Sequence, residues 1–264
     1  MNRKQLTTGK QIIAQAFSAA AETYDKAAFI EQEIGMRLLD RLACIKIQPL
    51  HILDLGCGTG YFSQQLKTMF PKAMIIGIDL AFGMVKYARD YRSNTNEILY
   101  SCADAENLPF ADQSFDIIFS NCCITSANHL SDLSSELQRI LRVDGLLLFT
   151  TLGPNTLQEF ALEDDWLDMH NIGDIFVQAK FSNPVVDVEN LIFNYTALQD
   201  LLQDLKETGS YQIADTDHIP NLDEPCSATF EVIYLHARGA QRLPAQFTKA
   251  DGTVFISADS IKCL

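Results

Sequence analysis

The 264-residue sequence contains no apolar run of the roughly 20 residues that a membrane-spanning helix requires. Its first residues, MNRKQLTTGKQIIAQAF, carry positive charge but lack the apolar core and small-residue cleavage site of a secretory signal peptide. The sequence indicates neither a membrane protein nor an exported one, and we expect a cytoplasmic protein.

Dense runs of lysine or arginine are also missing. The formal net charge is −14, and nucleic acids repel such a protein unless its basic residues gather on one face. We therefore expect no nucleic-acid partner.

The seven cysteines are odd in number and form no CxxC pair, which indicates buried thiols in a reducing compartment. Cys122 and Cys123 are adjacent and cannot readily chelate one metal ion, and the five histidines form no ligand-spaced cluster. The sequence predicts no metal site.

The stretch HILDLGCGTG, residues 51–60, is the feature around which the chain is predicted to be organised. Its apolar residues indicate a buried parallel strand, and the glycines that follow turn the chain sharply into a helix. Glycine lets a ligand approach the backbone, while the amides at the start of the next helix stay free to donate hydrogen bonds. The pattern predicts a cofactor loop, with a tight turn without a ligand as the alternative. The glycines are Gly56, Gly58 and Gly60.

The glycine spacing differs from the G-x-G-x-x-G pattern of dinucleotide sites. The segment DLGCGTG, which begins at Asp54, resembles motif I of the seven-stranded S-adenosylmethionine-dependent methyltransferases. In that family the loop approaches the amino-acid end of a cofactor that has no phosphate. The resemblance implies S-adenosyl-L-methionine as the cofactor, and it implies that Asp54 orients the loop and the cofactor's ammonium group.

The segment AMIIGIDLA indicates a second buried strand that ends at Asp79. This residue follows Asp54 by about 25 residues, close to the interval at which a nucleotide-binding βαβ unit presents an acid to the ribose hydroxyls. A solvent-facing carboxylate is the alternative. Leu80 and Met84 come next as further candidates for cofactor binding, and we expect Met84 to touch the adenine.

Two more strands are predicted to end in candidate residues. ILYSCADAENLPF indicates a third strand ending at Asp104, and its ADAE-x-LPF segment resembles the family's adenine-binding segment. The resemblance implies that Asp104 accepts from the adenine amino group and that the Ala105 amide donates to a ring nitrogen. FDIIFSNCC indicates a fourth strand with Asn121 at its carboxyl end, the edge at which parallel sheets bind ligands.

The later sequence completes the predicted fold. ELQRILRVDGLLLFTT resembles the family's helix, turn and fifth strand, with Gly145 ending the helix. Strands near 185–193 and 228–236 are predicted to pair as a hairpin. We expect an α/β fold: a seven-stranded Rossmann-like methyltransferase sheet, mostly parallel with an antiparallel last strand, and helices on both faces. Helices are predicted near 155–163, 172–180 and 196–207.

Helices are also predicted before the first strand, near residues 10–22 and 27–44. The segment FSAAAETYDKAA resembles the N-terminal lid of one branch of the family, which implies that Phe17 and Tyr24 cover the cofactor. Helix-packing aromatics are the alternative. We expect lid helices over residues 1–45, a methyltransferase domain over 46–238 and a C-terminal tail of unassigned role over 239–264.

A narrower resemblance is to the malonyl-acyl-carrier-protein O-methyltransferases of biotin synthesis. It rests on the stretches FSAAAETYDKAA, LLLFTTLGPNTLQE, LDMHNIGDIFVQAKFSNPVVDVE, LQDLKETG and FEVIYLHARG. The resemblance implies methylation of the free carboxylate of a malonyl thioester on acyl carrier protein or coenzyme A. Such a carboxylate is already ionised near neutral pH and needs a donor for its second oxygen, for which Tyr24 is the first candidate.

Two segments on the substrate side depart from that family. NCCITSANHL lacks the family's aromatic residue, and only ALEDDW stands between LQEF and LDMHNIGD. Two alternatives therefore stay open, a methyltransferase for another small molecule and a non-methylating cofactor-binding assembly factor. An acyl carrier protein is acidic, so the face of this chain that docks it would have to be locally basic. The candidate pairs are Lys4 with Lys10, Arg37 with Arg41, and Arg238 with Arg242.

Overall fold

The computed structural model describes residues 3–92, 98–123, 130–160, 166–208 and 224–240, with backbone alone for 3–8 and for two short strands at 247–248 and 254–255. The main strands are β1 (His51–Leu55), β2 (Met74–Asp79), β3 (Ile98–Cys102), β4 (Phe115–Ser120), β5 (Leu141–Leu152), β6 (Ser182–Tyr195) and β7 (Cys226–Arg238). The helices are α1 (Arg3–Ala20), α2 (Tyr24–Ala27), α3 (Phe29–Ala43), α4 (Tyr61–Met69), α5 (Phe82–Arg92), α6 (Leu130–Ile140), α7 (Met169–Gln178) and α8 (Leu198–Thr208).

Within the described ranges, seven strands form one sheet in the order β3-β2-β1-β4-β5-β7-β6. Strands β1 to β5 run parallel, and β7 is antiparallel to both of its neighbours. This arrangement confirms the predicted fold class. The last two main strands pair as predicted, but α8 lies between them in the chain, so they do not form a tight hairpin.

Helices cover both faces of this sheet, which explains why its central strands read as continuous apolar runs. Ile52 and Leu53 of β1 are each 0% exposed although their side chains point to opposite faces. Ile52 packs in the core under α3, α4 and α5, whereas Leu53 packs in the core under α6 and α7. No helix in the described ranges is long and apolar enough to cross a membrane.

The turn into β5 differs from the prediction. Helix α6 ends at Ile140, so Gly145 does not end the helix and instead lies within β5. The left-handed residue is Asp144, with φ 61°. An irregularity in the β4–β5 pairing absorbs the extra residues there. Glycine fits at 145 because a Cβ atom would lie 2.8 Å from Leu141 Cδ1.

Two other predicted helices also differ from the prediction. The helix expected over 27–44 is interrupted at Ala28, and a separate single turn, α2, precedes α3. The break places Tyr24 on α2. In place of the helix near 155–163 the structure describes a short 3-10 turn, Gln158–Phe160, while 161–165 lie outside the described residues. Residues 124–129, within the divergent NCCITSANHL segment, also lie outside them.

Candidate cofactor and acceptor site

A cavity of about 610 Å³ lies along the carboxyl edge of the sheet. Its walls include residues at the ends of β3, β2, β1, β4, β5 and β7, so it crosses six neighbouring strands. Because neighbouring strands lie about 4.8 Å apart, that edge is about 24 Å long. The cavity is therefore long enough to hold two ligands end to end, one toward β3 and one toward β7.

The glycine loop forms the middle of the cavity wall. Gly56, Gly58 and Gly60 have φ values of 72°, 53° and 80°, a backbone conformation that other residues adopt with strain. A Cβ atom on Gly56 would also clash with the side chain of Cys123. Gly56 and Gly58 line the cavity, whereas Gly60 lies outside its lining, at the start of α4.

Asp79 lies at the end of β2 and lines the cavity beside the glycine loop. Its Oδ2 accepts a hydrogen bond from the Gly58 amide at 2.9 Å, and its Oδ1 accepts one from the Ala81 amide at 2.7 Å. Burial raises the pKa of Asp79, and these amide hydrogen bonds counter that rise. Each carboxylate oxygen can still accept another hydrogen bond, as the predicted contact with the ribose requires.

The residues predicted to contact the adenine lie at the β3 end of the cavity. Asp104 and Ala105 line it, as do Leu80 and Met84. Lys10 of α1 donates to both oxygens of Asp104, at 3.0 and 2.8 Å. It also pairs with the next acid, Glu106, at 2.7 Å, and so ties α1 to the adenine side.

The lid aromatics stand in the wall of the cavity, as their predicted role requires. The rings of Phe17 and Tyr24 have centroids 6.2 Å apart and pack with Met84. The lid is fixed at α5 by a hydrogen bond of 3.1 Å from the Gly83 amide to Ser18 Oγ. Cofactor contacts of both rings stay predictions.

Asp25 holds the lid against the glycine loop, a role that sequence reasoning missed. Its carboxylate accepts a hydrogen bond from Thr59 Oγ1 at 2.5 Å and pairs with Arg92 at the end of α5. Thr59 lies between the last two loop glycines, so the contact joins α2 directly to the loop. The neighbouring residue Tyr24 is thereby positioned over the cavity. The YDK sequence around Asp25 carries no pattern that would have revealed this.

Asp54 is buried, and its contact with the cofactor's ammonium group stays a prediction. It is 2% exposed and lies behind the loop, outside the cavity lining, where it accepts a hydrogen bond from Ser63 Oγ at 2.5 Å. Burial raises the pKa of Asp54 to about 7 and outweighs the opposing effect of the Ser63 hydrogen bond. The geometry therefore favours a role in joining β1 to α4 over contact with an ammonium group.

Asn121 lines the cavity, but its side chain already joins three elements of the protein. Its amide donates to the Glu31 carbonyl oxygen of α3 at 2.8 Å, and its Oδ1 accepts from Thr150 Oγ1 of β5, also at 2.8 Å. These bonds fix the end of β4 between the lid and the sheet. Cofactor binding by Asn121 stays a prediction, and the observed contacts are structural.

Charge in the cavity suits a cationic ligand. The charged residues of its lining are Lys10, Glu31, Asp79, Asp104 and Glu106. Four acids against one lysine create a negative potential. Such a potential favours the sulfonium and ammonium groups of S-adenosylmethionine, and the Asp79 carboxylate suits its ribose. Among the described residues, no cluster of His, Cys, Asp and Glu is placed to hold a metal ion.

This chain is similar to known proteins in both fold and sequence. Residues 53–149 match the family model described as a methyltransferase domain. The YcgJ protein of Bacillus subtilis has a TM-score of 0.59 at 18% identity, covering 80% of this chain and 99% of that one. Phosphoethanolamine N-methyltransferase 2 of Haemonchus contortus, solved with S-adenosyl-L-methionine, has a TM-score of 0.55 at 20% identity, covering 78% and 53%. The protein is an S-adenosylmethionine-dependent methyltransferase.

Sequence relatives define its family. A malonyl-[acyl-carrier protein] O-methyltransferase of Gallionella capsiferriformans is 37% identical over 94% of this chain and 95% of its own length. One from Legionella pneumophila is 41% identical over 75% of this chain and 73% of its own. The chain belongs to the malonyl-[acyl-carrier protein] O-methyltransferase family.

Replacement of Asp79 with alanine tests its predicted ribose contacts. We expect D79A to raise the dissociation constant of S-adenosylhomocysteine about tenfold or more, because a hydrogen bond to a charged acceptor is worth about 1.5 kcal/mol or more. Calorimetric titration measures the constant. Asp90→Ala, on the exposed face of α5, is the matched control. An unchanged constant in D79A would remove Asp79 from the site.

Replacement of Asp54 with asparagine tests the burial of that carboxyl. A folded-state pKa of about 7, above the ordinary 3.8, means that the native state binds the proton more tightly. The Asp54 carboxyl group therefore stabilises the folded state below pH 4, and this stabilisation is lost as pH rises through 7. Between pH 5 and pH 8, the free energy of unfolding measured in urea should fall by about 3 kcal/mol more for wild type than for D54N. Equal losses would contradict a raised pKa.

Proposed function

We propose that the protein methylates the free carboxylate of a malonyl thioester of acyl carrier protein, in the cytoplasm and early in biotin synthesis. The main support is the 37% identity that extends over nearly the whole length of a relative named for this reaction. A cavity with room beyond the predicted cofactor half also supports a second substrate. The division into lid, methyltransferase domain and tail belongs to the same proposal.

The chain's part in the reaction is to bind, orient and shield. S-adenosylmethionine supplies an electrophilic methyl group on a sulfonium. The substrate carboxylate is the nucleophile and is ionised near neutral pH, so no protein base is needed. The protein has to hold one carboxylate oxygen in line with the methyl group and keep water out. The β7 end of the cavity has the apolar walls for this, formed by Ile30, Ile34, Leu152 and Phe230.

Tyr24 is proposed to bind the other carboxylate oxygen. Burial raises the pKa of Tyr24 well above its ordinary value, and the charge of Glu31 adds to the rise. The phenol therefore stays protonated and can donate a hydrogen bond. Tyr24 has only to donate a hydrogen bond, because the substrate carboxylate is already ionised and needs no base.

Acidic residues of the protein itself neutralise the described side chains in two of the three candidate docking clusters. Arg37 pairs with Glu33 and Glu189, and Arg41 pairs with Asp187 at 2.8 Å. Lys10 is held by two acids at the adenine end of the cavity, and the side chains of Lys4 and Arg242 lie outside the described residues. These contacts favour recognition of the thioester arm over strong charge attraction between carrier and enzyme.

The direct test is incubation with S-adenosylmethionine and malonyl thioesters of acyl carrier protein and coenzyme A. Mass spectrometry should show a gain of one methyl group on the malonyl moiety, and none on the matching acetyl thioester, which has no free carboxylate. Methylation of a different small molecule, or binding of S-adenosylhomocysteine without any transfer, would refute the proposal.

The variant Y24F serves in the same assay. Loss of a hydrogen bond to a charged oxygen should raise KM for the malonyl thioester about tenfold, while the retained ring leaves cofactor affinity near that of wild type. Tyr91→Phe, at an exposed tyrosine of α5, is the matched control. A KM equal to that of wild type would exclude Tyr24 from carboxylate binding.

A further inference from the structure

An ionic junction holds the N-terminal lid from outside the cavity. It consists of Asp25 of α2, Thr59 of the glycine loop and Arg92 at the end of α5, here called the clasp. None of these side chains belongs to the described lining of the cavity. Thr59 is 1% exposed, and the side chains of Asp25 and Arg92 are 22% and 24% exposed, so water screens their charges only partly.

Arg92 is fixed by α4 and α5 and does not depend on the lid for its position. Its guanidinium donates to Gln64 Oε1 of α4 at 2.9 Å, and its carbonyl oxygen accepts from Gln64 Nε2 at 3.3 Å. The guanidinium carbon also lies 5.8 Å from the centre of the Tyr61 ring, within reach of a cation–π contact. Asp25 is therefore the part of the clasp that the lid supplies.

Helix α2, which carries both Tyr24 and Asp25, depends on other elements for its orientation. It is a single turn of four residues, and Thr23 at its N-cap makes no side-chain capping bond. Such a short helix is not stable on its own. Gln32 of α3 donates to the Asp25 carbonyl oxygen at 2.8 Å, and the Asp25 carboxylate bonds the glycine loop. The place of Tyr24 over the cavity therefore depends on these bonds.

The clasp depends in turn on the conformation of the glycine loop. Thr59 lies between Gly58 and Gly60, whose left-handed backbone sets the direction of its side chain. On the inner side of the loop the Gly58 amide bonds Asp79 at 2.9 Å, and on the outer side Thr59 Oγ1 bonds Asp25 at 2.5 Å. A shift of this loop would therefore disturb the Asp79 contact and the clasp together.

We propose that Asp25 is a positioning residue for cofactor binding, which couples closure of the lid to the cofactor-binding conformation of the glycine loop. A cofactor that rests on the loop stabilises the conformation in which Thr59 meets Asp25. By thermodynamic linkage the clasp stabilises the bound cofactor to the same extent, and a lid held closed slows its release. Asp25 acts through Tyr24 and Thr59, not on the reacting atoms. The inference concerns the cofactor and does not depend on which acceptor is methylated.

The experiment measures how fast radiolabelled S-adenosylmethionine leaves the full chain after addition of excess unlabelled cofactor. We expect Asp25→Ala to speed release about tenfold, because a hydrogen bond to a charged group is lost together with the ion pair. Thr59→Val should also speed release, whereas Thr59→Ser, which keeps the hydroxyl, should stay close to wild type. Glu22→Ala, at an exposed acid of the same lid, is the matched control and should release the cofactor at the wild-type rate.

A double-mutant cycle separates this coupling from a general loss of stability. D25A/T59V should release the cofactor no faster than D25A, because both substitutions remove the same bond, whereas independent destabilisation would multiply the two effects. Hydrogen exchange gives a second readout. S-adenosylhomocysteine should protect the amides of residues 17–27 in wild type, and in D25A it should protect the glycine loop but not these lid residues.

Three results would overturn the inference: release from D25A and T59V at the wild-type rate, multiplied effects in the double variant, or full protection of residues 17–27 in D25A. The proposed function is tested separately by the methyl-transfer assay. Malonyl thioesters that stay unmethylated, with release rates as expected here, would refute the proposed function and leave the role of Asp25 standing.

Discussion

The hydrogen bond from the Gly58 amide to Asp79 is the contact on which the site depends. It joins the loop after β1 to the end of β2, and the left-handed backbone at Gly58 makes it possible. The same carboxylate also fixes the turn into α5 through Ala81. Asp79 therefore fixes both the glycine loop and the start of α5. Its carboxylate oxygens can each still accept a hydrogen bond from a ligand in the cavity.

The lid is attached to the sheet edge at three places. Lys10 bonds Asp104 after β3, Ser18 bonds the amide of Gly83 on α5, and Asp25 bonds Thr59 in the glycine loop. These three contacts hold the N-terminal helices against the sheet edge, so the helices complete the wall of the cavity. A cofactor at the β3 end would be enclosed by the same contacts that hold the helices in place.

Local sequence predicted the parts of the site that depend on strand ends. Buried strands read as apolar runs because helices cover both faces, and the residues after them, such as Asp79 and Asp104, fall at one edge by topology. Gly145 differs from prediction because the bulge in the β4–β5 pairing depends on tertiary packing, and the burial of Asp54 behind the loop could not be predicted for the same reason.

The polar contacts of the lid were not predictable from local patterns. Lys10 and Asp104 are 94 positions apart, and Asp25 and Thr59 are 34 apart, so no periodicity links them. Glu31 is equally inconspicuous, since an acidic residue on an amphipathic helix ordinarily faces solvent. Only the placement of α3 over the ends of β5 and β7 turns it toward the cavity.

We interpret the cavity as divided into a cofactor half and an acceptor half along the sheet edge. A crystal structure of the protein with S-adenosylhomocysteine tests it most directly. We expect the adenine beside Asp104, the ribose hydroxyls on Asp79, and the thioether sulfur directed toward Tyr24 and Glu31. Density for the nucleoside against Leu152 and Phe230, or no density along this edge at saturating concentration, would contradict it.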